Sequence, residues 1–191
     1  MIQIISGKFK GQKIPVIKNN NYRPSTAKLK ESMFNILASQ AFNKTSAKIA
    51  LSKARMLDLF TGTGNIAFEA LSRGVQHVTL IDINVNCLVA IQNHACKINI
   101  YNKMTLLRLD ATNLPQAHHN YNVVFMDPPF YKGLINKTLL SLDNKYWLDN
   151  NAILFIESEL NHKLVLPVNF YFQTEKIYGK SKLTILLYKN N

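Results

Sequence analysis

The sequence predicts an α/β fold: a mainly parallel, Rossmann-like sheet of seven strands that closes in an antiparallel hairpin, preceded by a small basic β-hairpin and a helix. Three observations predict it. From residue 56 onward, short apolar runs alternate with segments of helical periodicity, the order that builds a doubly wound sheet. A glycine cluster, Gly62 and Gly64, follows the first of those runs. Two strand-like runs separated by a turn around Gly179 close the chain.

The elements follow in order. Ile2 to Ile5 is a short β-type run, Gly7 to Gly11 is turn-like, and Gln12 to Ile17 returns as a second strand. Asn19 to Asn21 is a loop. Pro24 suits a helix start, with Ser25 or Thr26 as cap. Leu29, Met33, Ile36 and Leu37 recur at helical spacing, which predicts an amphipathic helix over 26–41. Residues 43–54 read as a linker. Strands are then expected over 56–60, 77–82, 104–109, 122–127 and 152–158, with helices over 65–72, 85–98 and 134–142. The closing hairpin is expected over 170–177 and 183–188. A division into a basic extension, 1–45, and a catalytic domain, 46–191, follows from the charge and the alternation.

The 191 residues suit one ordinary domain, and 47% hydrophobic content supports a sizeable core. No apolar run is long enough to span a bilayer. The stretch Met1 to Gly7 turns polar and basic too soon for a signal peptide, so a cytoplasmic location is expected; a monomer is expected as well. Cys87 and Cys96 fall more than two turns apart in one expected helix and read as reduced thiols, not a metal pattern. The net charge is +12. Residues 1–55 hold eleven Lys and Arg side chains against Glu31 alone. That asymmetry fits an arm that binds a polyanion, with Lys8 and Lys10 on the hairpin as candidate contacts; a solubilising surface has the same composition.

The glycine cluster sits in Asp58-Leu59-Phe60-Thr61-Gly62-Thr63-Gly64-Asn65-Ile66-Ala67. Glycines after a buried strand let the backbone turn sharply and approach a ligand, and the next helix offers free N–H groups. The spacing Gly62-x-Gly64-x-x-Ala67 also fits a nicotinamide-dinucleotide fingerprint. Asp58 weighs towards S-adenosylmethionine, because a carboxylate beside the loop repels a pyrophosphate and suits the ammonium of a methionine moiety. Asp82, twenty residues after Gly62, can accept both ribose hydroxyls. Asp110 can take an adenine amino group, or simply cap a strand end. The Ala111 backbone and Phe60 complete the candidate cofactor set.

Asp127-Pro128-Pro129-Phe130-Tyr131 follows the apolar run Val123 to Met126. The prolines stiffen the loop and fix its carbonyls. An exocyclic amine on a nucleobase is a poor nucleophile because its lone pair is delocalised into the ring. The Asp127 carboxylate and the Pro128 carbonyl can bind its two N–H bonds and aim the lone pair at an electrophile, with positioning and electrostatics supplying the rate. Phe130 and Tyr131 can stack on the base. A rigid strand-to-loop turn is the plainer reading of the same residues.

At these residues the sequence resembles the RsmD-type family of bacterial small-subunit rRNA (guanine-N2)-methyltransferases. The likeness runs over nearly the whole chain: Ile4 to Gly11, Arg23-Pro24-Ser25-Thr26 leading to Glu31 to Asn35, Asp58 to Gly64, Glu69 to Gly74, Asp127 to Phe130, Glu157-Ser158-Glu159 and Glu175 to Lys180. It implies an S-adenosylmethionine-dependent methyltransferase fold, S-adenosyl-L-methionine as methyl donor, no metal, and one guanine N2 in 16S rRNA or the small ribosomal subunit as target. It places Asp58, Gly62, Gly64, Asp82 and Asp110 at the cofactor, Asp127, Pro128 and Phe130 at the guanine, and Arg23 and Thr26 near the entrance. The sequence departs from the family at Ala67 (usually glycine), Ala27 (usually acidic), Lys28 and Lys30 (often arginine) and Asp82 (usually glutamate). An adenine-N6 DNA methyltransferase, an NAD-dependent oxidoreductase and an RNA-binding module with a vestigial site are the competing readings. Glu157 faces the crevice or serves a strand end. His118-His119 reads as a solvated loop pair, and Trp147 and Phe170 to Phe172 as core and strand residues.

Overall fold

The computed structural model describes residues 2–15, 26–39, 51–130 and 132–190. Strands β1 (Ile2–Gln3) and β2 (Lys13–Ile14) form a two-stranded antiparallel ladder, followed by α1 (Ala27–Ser39). The main sheet comprises β3 (Arg55–Leu59), β4 (His77–Ile81), β5 (Met104–Leu107), β6 (Tyr121–Met126), β7 (Leu148–Glu159), β8 (Phe170–Tyr178) and β9 (Ser181–Tyr188). Helices α2 (Asn65–Ser72), α3 (Val85–Lys97) and α4 (Leu134–Asn144) connect its strands. The order is β5-β4-β3-β6-β7-β9-β8. The first five strands in that order are parallel, and β9 enters antiparallel between β7 and β8. The chain moves outward from β3 to β5, then crosses back to β6 on the other side of β3. That reversal opens a crevice at the carboxyl ends of β3 and β6.

Both faces of the sheet are covered, which is why the central strands read as continuous apolar runs. On one face Met56, Val78, Leu80, Phe125 and Phe155 meet Ile66, Phe68 and Ile91 of α2 and α3. On the other, Leu57, Leu59, Val124, Met126 and Leu154 meet Ile135, Leu139 and Leu142 of α4. The N-terminal hairpin and α1 join the first of these cores through Ile2, Ile4, Ile14, Leu29, Met33 and Phe34. The expected boundary at residue 45 lies outside the described residues.

A buried polar hub fastens the hairpin and α1 to α2. Glu69 is 0% exposed; its carboxylate accepts the Ile5 N–H at 2.8 Å and the Arg73 Nε–H at 2.7 Å. The Lys30 ammonium lies 3.6 Å from Glu69 and donates to Asn65 Oδ1 at 2.8 Å and to the Gln3 carbonyl at 3.1 Å. Lys30, which stands where the family often has arginine, is turned inward and 2% exposed. The amphipathic pattern alone put a lysine outside; a buried carboxylate on the facing helix draws it in. At the hairpin tip, Gly7 has φ +83°, and a Cβ there would lie 1.9 Å from the Ser72 carbonyl oxygen. Only glycine permits that approach.

Most elements fall where the periodicity puts them. The main differences are at strand edges. β5 stops at Leu107 and β1 at Gln3. β7 starts at Leu148, before the strand expected from residue 152, and runs through Asp149-Asn150-Asn151. The ladder is irregular there: Tyr121 pairs with Leu148, but Val123 pairs with Ile153. β7 carries three more residues than β6 over that step, and Asn151 there takes a left-handed conformation, φ +66°. Trp147 is buried, stacks on Tyr121 with ring centroids 5.7 Å apart and donates Nε1–H to the Pro115 carbonyl. Phe170 is buried, whereas Phe172 is exposed on the edge strand β8. Cys87 and Cys96 are free thiols on α3. His118 and His119 are exposed.

Candidate active site

β3 ends in a tight turn whose geometry several side chains hold. Phe60 has φ +57° and Gly62 φ +52°. A phenylalanine in the left-handed region costs about 1–2 kcal/mol, and such strain is concentrated at functional sites. The Thr61 hydroxyl donates to Asp58 Oδ2 at 2.8 Å. The Gly62 N–H donates to Asp82 Oδ2 at 2.9 Å, while Asp82 Oδ1 accepts the Asn84 N–H at 2.8 Å. One carboxylate at the end of β4 thus fixes both the glycine turn and the start of the next loop.

Gly64 caps α2 in the left-handed conformation, φ +70°. A Cβ there would press on Ile91 of α3, 3.0 Å away. Its glycine is therefore required by the turn and by close helix packing. Asp58 is 2% exposed. Burial pushes its carboxyl up to about 8; Asp82 adds to the rise, while the Thr61 hydroxyl and the Ala67 backbone oppose it. A buried carboxyl of this kind is primed for a cationic partner, whose charge would restore the carboxylate.

Across the crevice, Asp127 continues β6 and its N–H lies 3.5 Å from the Leu59 carbonyl. Asp127 and Phe130 are half-buried, Pro128 is buried and Pro129 exposed. The two loops line one cavity of about 580 Å³, within the range of small-molecule sites. Asp58, Phe60, Gly62, Asp82, Asp110, Asp127, Pro128 and Phe130, all expected site residues, line it together. Asp110 also closes a local turn, its Oδ1 accepting from the Thr112 N–H and hydroxyl.

Other expected site residues are not among those that line it. Gly64 is not among the cavity's walls. Ala111, expected to offer its backbone, stands between the lining residues Asp110 and Thr112, with its side chain buried in the core on the α4 face of the sheet. Thr26 caps α1, its hydroxyl accepting the Leu29 N–H at 3.3 Å. Lys8 and Lys10 are exposed on the hairpin turn, where the Lys8 N–H donates to the Ser72 carbonyl. Ser72 ends α2, whose first residue, Asn65, lines the cavity; the helix separates the two ends by about 10 Å. Arg23 and Tyr131 lie outside the described residues.

The cavity also includes residues that sequence reasoning passed over: Thr61, Thr63, Asn65, Ile83, Thr112, Phe125, Lys132 and Leu134. Ile83 carried a usable signal, an apolar residue directly after the strand-end acid; it is 67% exposed. Lys132, directly after the aromatic pair, carried another.

A family model described as conserved hypothetical protein 95 matches residues 2–187. The ribosomal RNA small subunit methyltransferase D of Buchnera aphidicola subsp. Baizongia pistaciae is 32% identical over 100% of this chain and 93% of its own length. The chain belongs to the ribosomal RNA small subunit methyltransferase D family. The Escherichia coli (strain K12) relative of that name is 31% identical over 94% of this chain and 86% of its own. The solved structure of Escherichia coli yhhF superposes with a TM-score of 0.81 at 27% identity, covering 98% of each chain. The resemblance found at the Arg-Pro-Ser-Thr and Asp-Pro-Pro-Phe segments thus extends along the chain, and the doubly wound sheet is shared. Among the described residues no helix is long and apolar enough to cross a membrane.

Proposed function

We propose that the chain transfers a methyl group from S-adenosylmethionine to the exocyclic N2 of a guanine in small-subunit rRNA. The observation that carries this reading is the shared cavity: the acid-held glycine turn and the Asp-Pro-Pro-Phe loop line it together. S-adenosylmethionine bound there would supply an electrophilic methyl on a sulfonium. The donor set suits it. Asp58 gives a buried acid for the ammonium of the methionine moiety, an arrangement unfavourable to a pyrophosphate. Asp82 stands at a strand end where ribose hydroxyls can be accepted, and the exposed Ile83 offers an apolar cover for a flat adenine.

On the opposite side, Asp127 and the Pro128 carbonyl accept the two amine N–H bonds of the target base. This turns the nitrogen lone pair towards the methyl and favours a tetrahedral nitrogen. Phe130 stacks on the base, an interaction typically worth about 1–3 kcal/mol. Asp127 takes the proton that the nitrogen loses as the new bond forms. The base reaches the cavity by leaving its stack. The exposed lysines of the hairpin extend the interaction to phosphates away from the cavity.

Methyl transfer from tritiated S-adenosylmethionine to naked rRNA, small subunits and DNA, followed by identification of the product nucleoside, tests this reading. Label in N2-methylguanosine from small-subunit RNA is expected. Label in N6-methyladenine of DNA, or binding of NAD in place of S-adenosylmethionine, would overturn it.

A further inference from the structure

Asp127 has an acidic neighbour on the next strand. The register of β6 and β7 pairs Phe125 with Phe155 and Met126 with Ile156. Continued one step past the end of β6, the same register sets Glu157 level with Asp127, at the spacing of about 4.8 Å usual between neighbouring strands. Equal steps along parallel strands keep side chains on the same face, and both residues line the cavity. Glu157 is 6% exposed. The Ser181 hydroxyl of β9 donates to its Oε1 at 2.9 Å and also lies 3.3 Å from the Tyr178 carbonyl, which ties the carboxyl group to β9. A carboxyl at a buried strand end carries a desolvation cost that an apolar residue would not.

Resting on the reading of this cavity as a guanine-N2 site, we propose that Glu157 is a specificity-determining residue that accepts the N1–H of the target guanine. If Asp127 and the Pro128 carbonyl take both N2–H bonds, the adjacent N1–H still needs an acceptor once the base has left water. Glu157, one strand away on the same face, supplies it. Adenine presents a lone pair at N1, which would meet the carboxyl oxygen acceptor to acceptor. The same pair of acids thus selects both the amine to be methylated and the ring that carries it.

The test uses 2,6-diaminopurine, which keeps the amine at C2 but has a lone pair at N1. Small-subunit rRNA is prepared by splinted ligation with guanine or 2,6-diaminopurine at the position the wild-type chain methylates. Wild type is expected to favour guanine by at least about tenfold in kcat/KM. In Glu157→Gln one of the two carboxyl acceptors becomes an NH2 donor, so the preference for guanine falls by about tenfold or reverses. Cofactor affinity, measured alongside, reports an intact cavity. Equal use of both bases by wild type overturns the inference while leaving N2 methylation standing, and this arm holds even if the variant does not fold. Equal loss on both bases in Glu157→Gln assigns the residue to structure alone and also overturns it. Failure of wild type to methylate guanine-containing rRNA is instead a failure of the underlying reading.

Discussion

The Asp82 carboxylate holds the Gly62 N–H at 2.9 Å, tying the carboxyl end of β4 to the turn that leaves β3. In the sequence Asp82 reads as a ribose acceptor only. In the structure it is also the anchor of the glycine turn. Asp82→Ala is expected to lower S-adenosylmethionine affinity and to cost about 1–3 kcal/mol of stability, since the Gly62 and Asn84 N–H groups lose their acceptor. Calorimetric titration and denaturant unfolding measure the two effects. Weaker affinity with unchanged stability would confine Asp82 to ligand binding.

Asp58 makes stability depend on pH. Burial raises its carboxyl from 3.8 to about 8. The native state therefore favours the protonated form. Its contribution is full below the unfolded value and is lost as pH rises through the folded one, by up to about 1.4 kcal/mol per pH unit between them. Denaturant unfolding from pH 5 to 9 should show the wild type losing stability relative to Asp58→Asn. A cationic ligand at Asp58 should drive its ionisation, so cofactor binding at pH 7 releases a proton, seen as a buffer-dependent binding enthalpy. Identical enthalpies in phosphate and Tris would contradict that assignment.

Glu69 should be the most costly polar residue to remove outside the cavity. Glu69→Ala leaves Lys30 buried without its acid and frees the Ile5 N–H. Burial already holds the Lys30 ammonium below its ordinary value despite Glu69. The expected loss is about 3–5 kcal/mol by denaturant unfolding. A loss below about 1 kcal/mol would show that the hub is dispensable.

The hairpin lysines make a prediction about RNA. Changing Lys8, Lys10 and Lys13 to Gln should weaken binding of small-subunit rRNA and flatten its dependence on salt. The slope should fall by up to about one for each phosphate that the variant no longer neutralises. Thermal stability should hardly change, because all three side chains are exposed. An unchanged slope would exclude the hairpin from RNA binding.

Much of this was readable in the residues. The alternation of elements, the glycine turn, Asp58, Asp82 and the Asp-Pro-Pro-Phe loop are local patterns, and local patterns survive without knowledge of the partners. What escaped were long-range pairings. The inward turn of Lys30 depends on Glu69, 39 residues along the chain. The demand for glycine at Gly7 comes from Ser72. The irregular start of β7 is set by its pairing with β6, so from the sequence the strand is expected only from residue 152. Glu157 gained meaning only from the register that brings it level with Asp127. Asp127 itself needed no partner to be found, because two prolines and an aromatic residue mark it in the chain.

The most direct measurement is the rate of methyl transfer to small-subunit rRNA by Asp127→Ala, with S-adenosylmethionine affinity determined on the same preparation. The proposed chemistry predicts a fall of at least about 100-fold in kcat, because the amine loses its acceptor and its proton sink. Cofactor affinity should stay near the wild-type value, since Asp58, Asp82 and the glycine turn are untouched. Methyl transfer at the wild-type rate by that variant would contradict it.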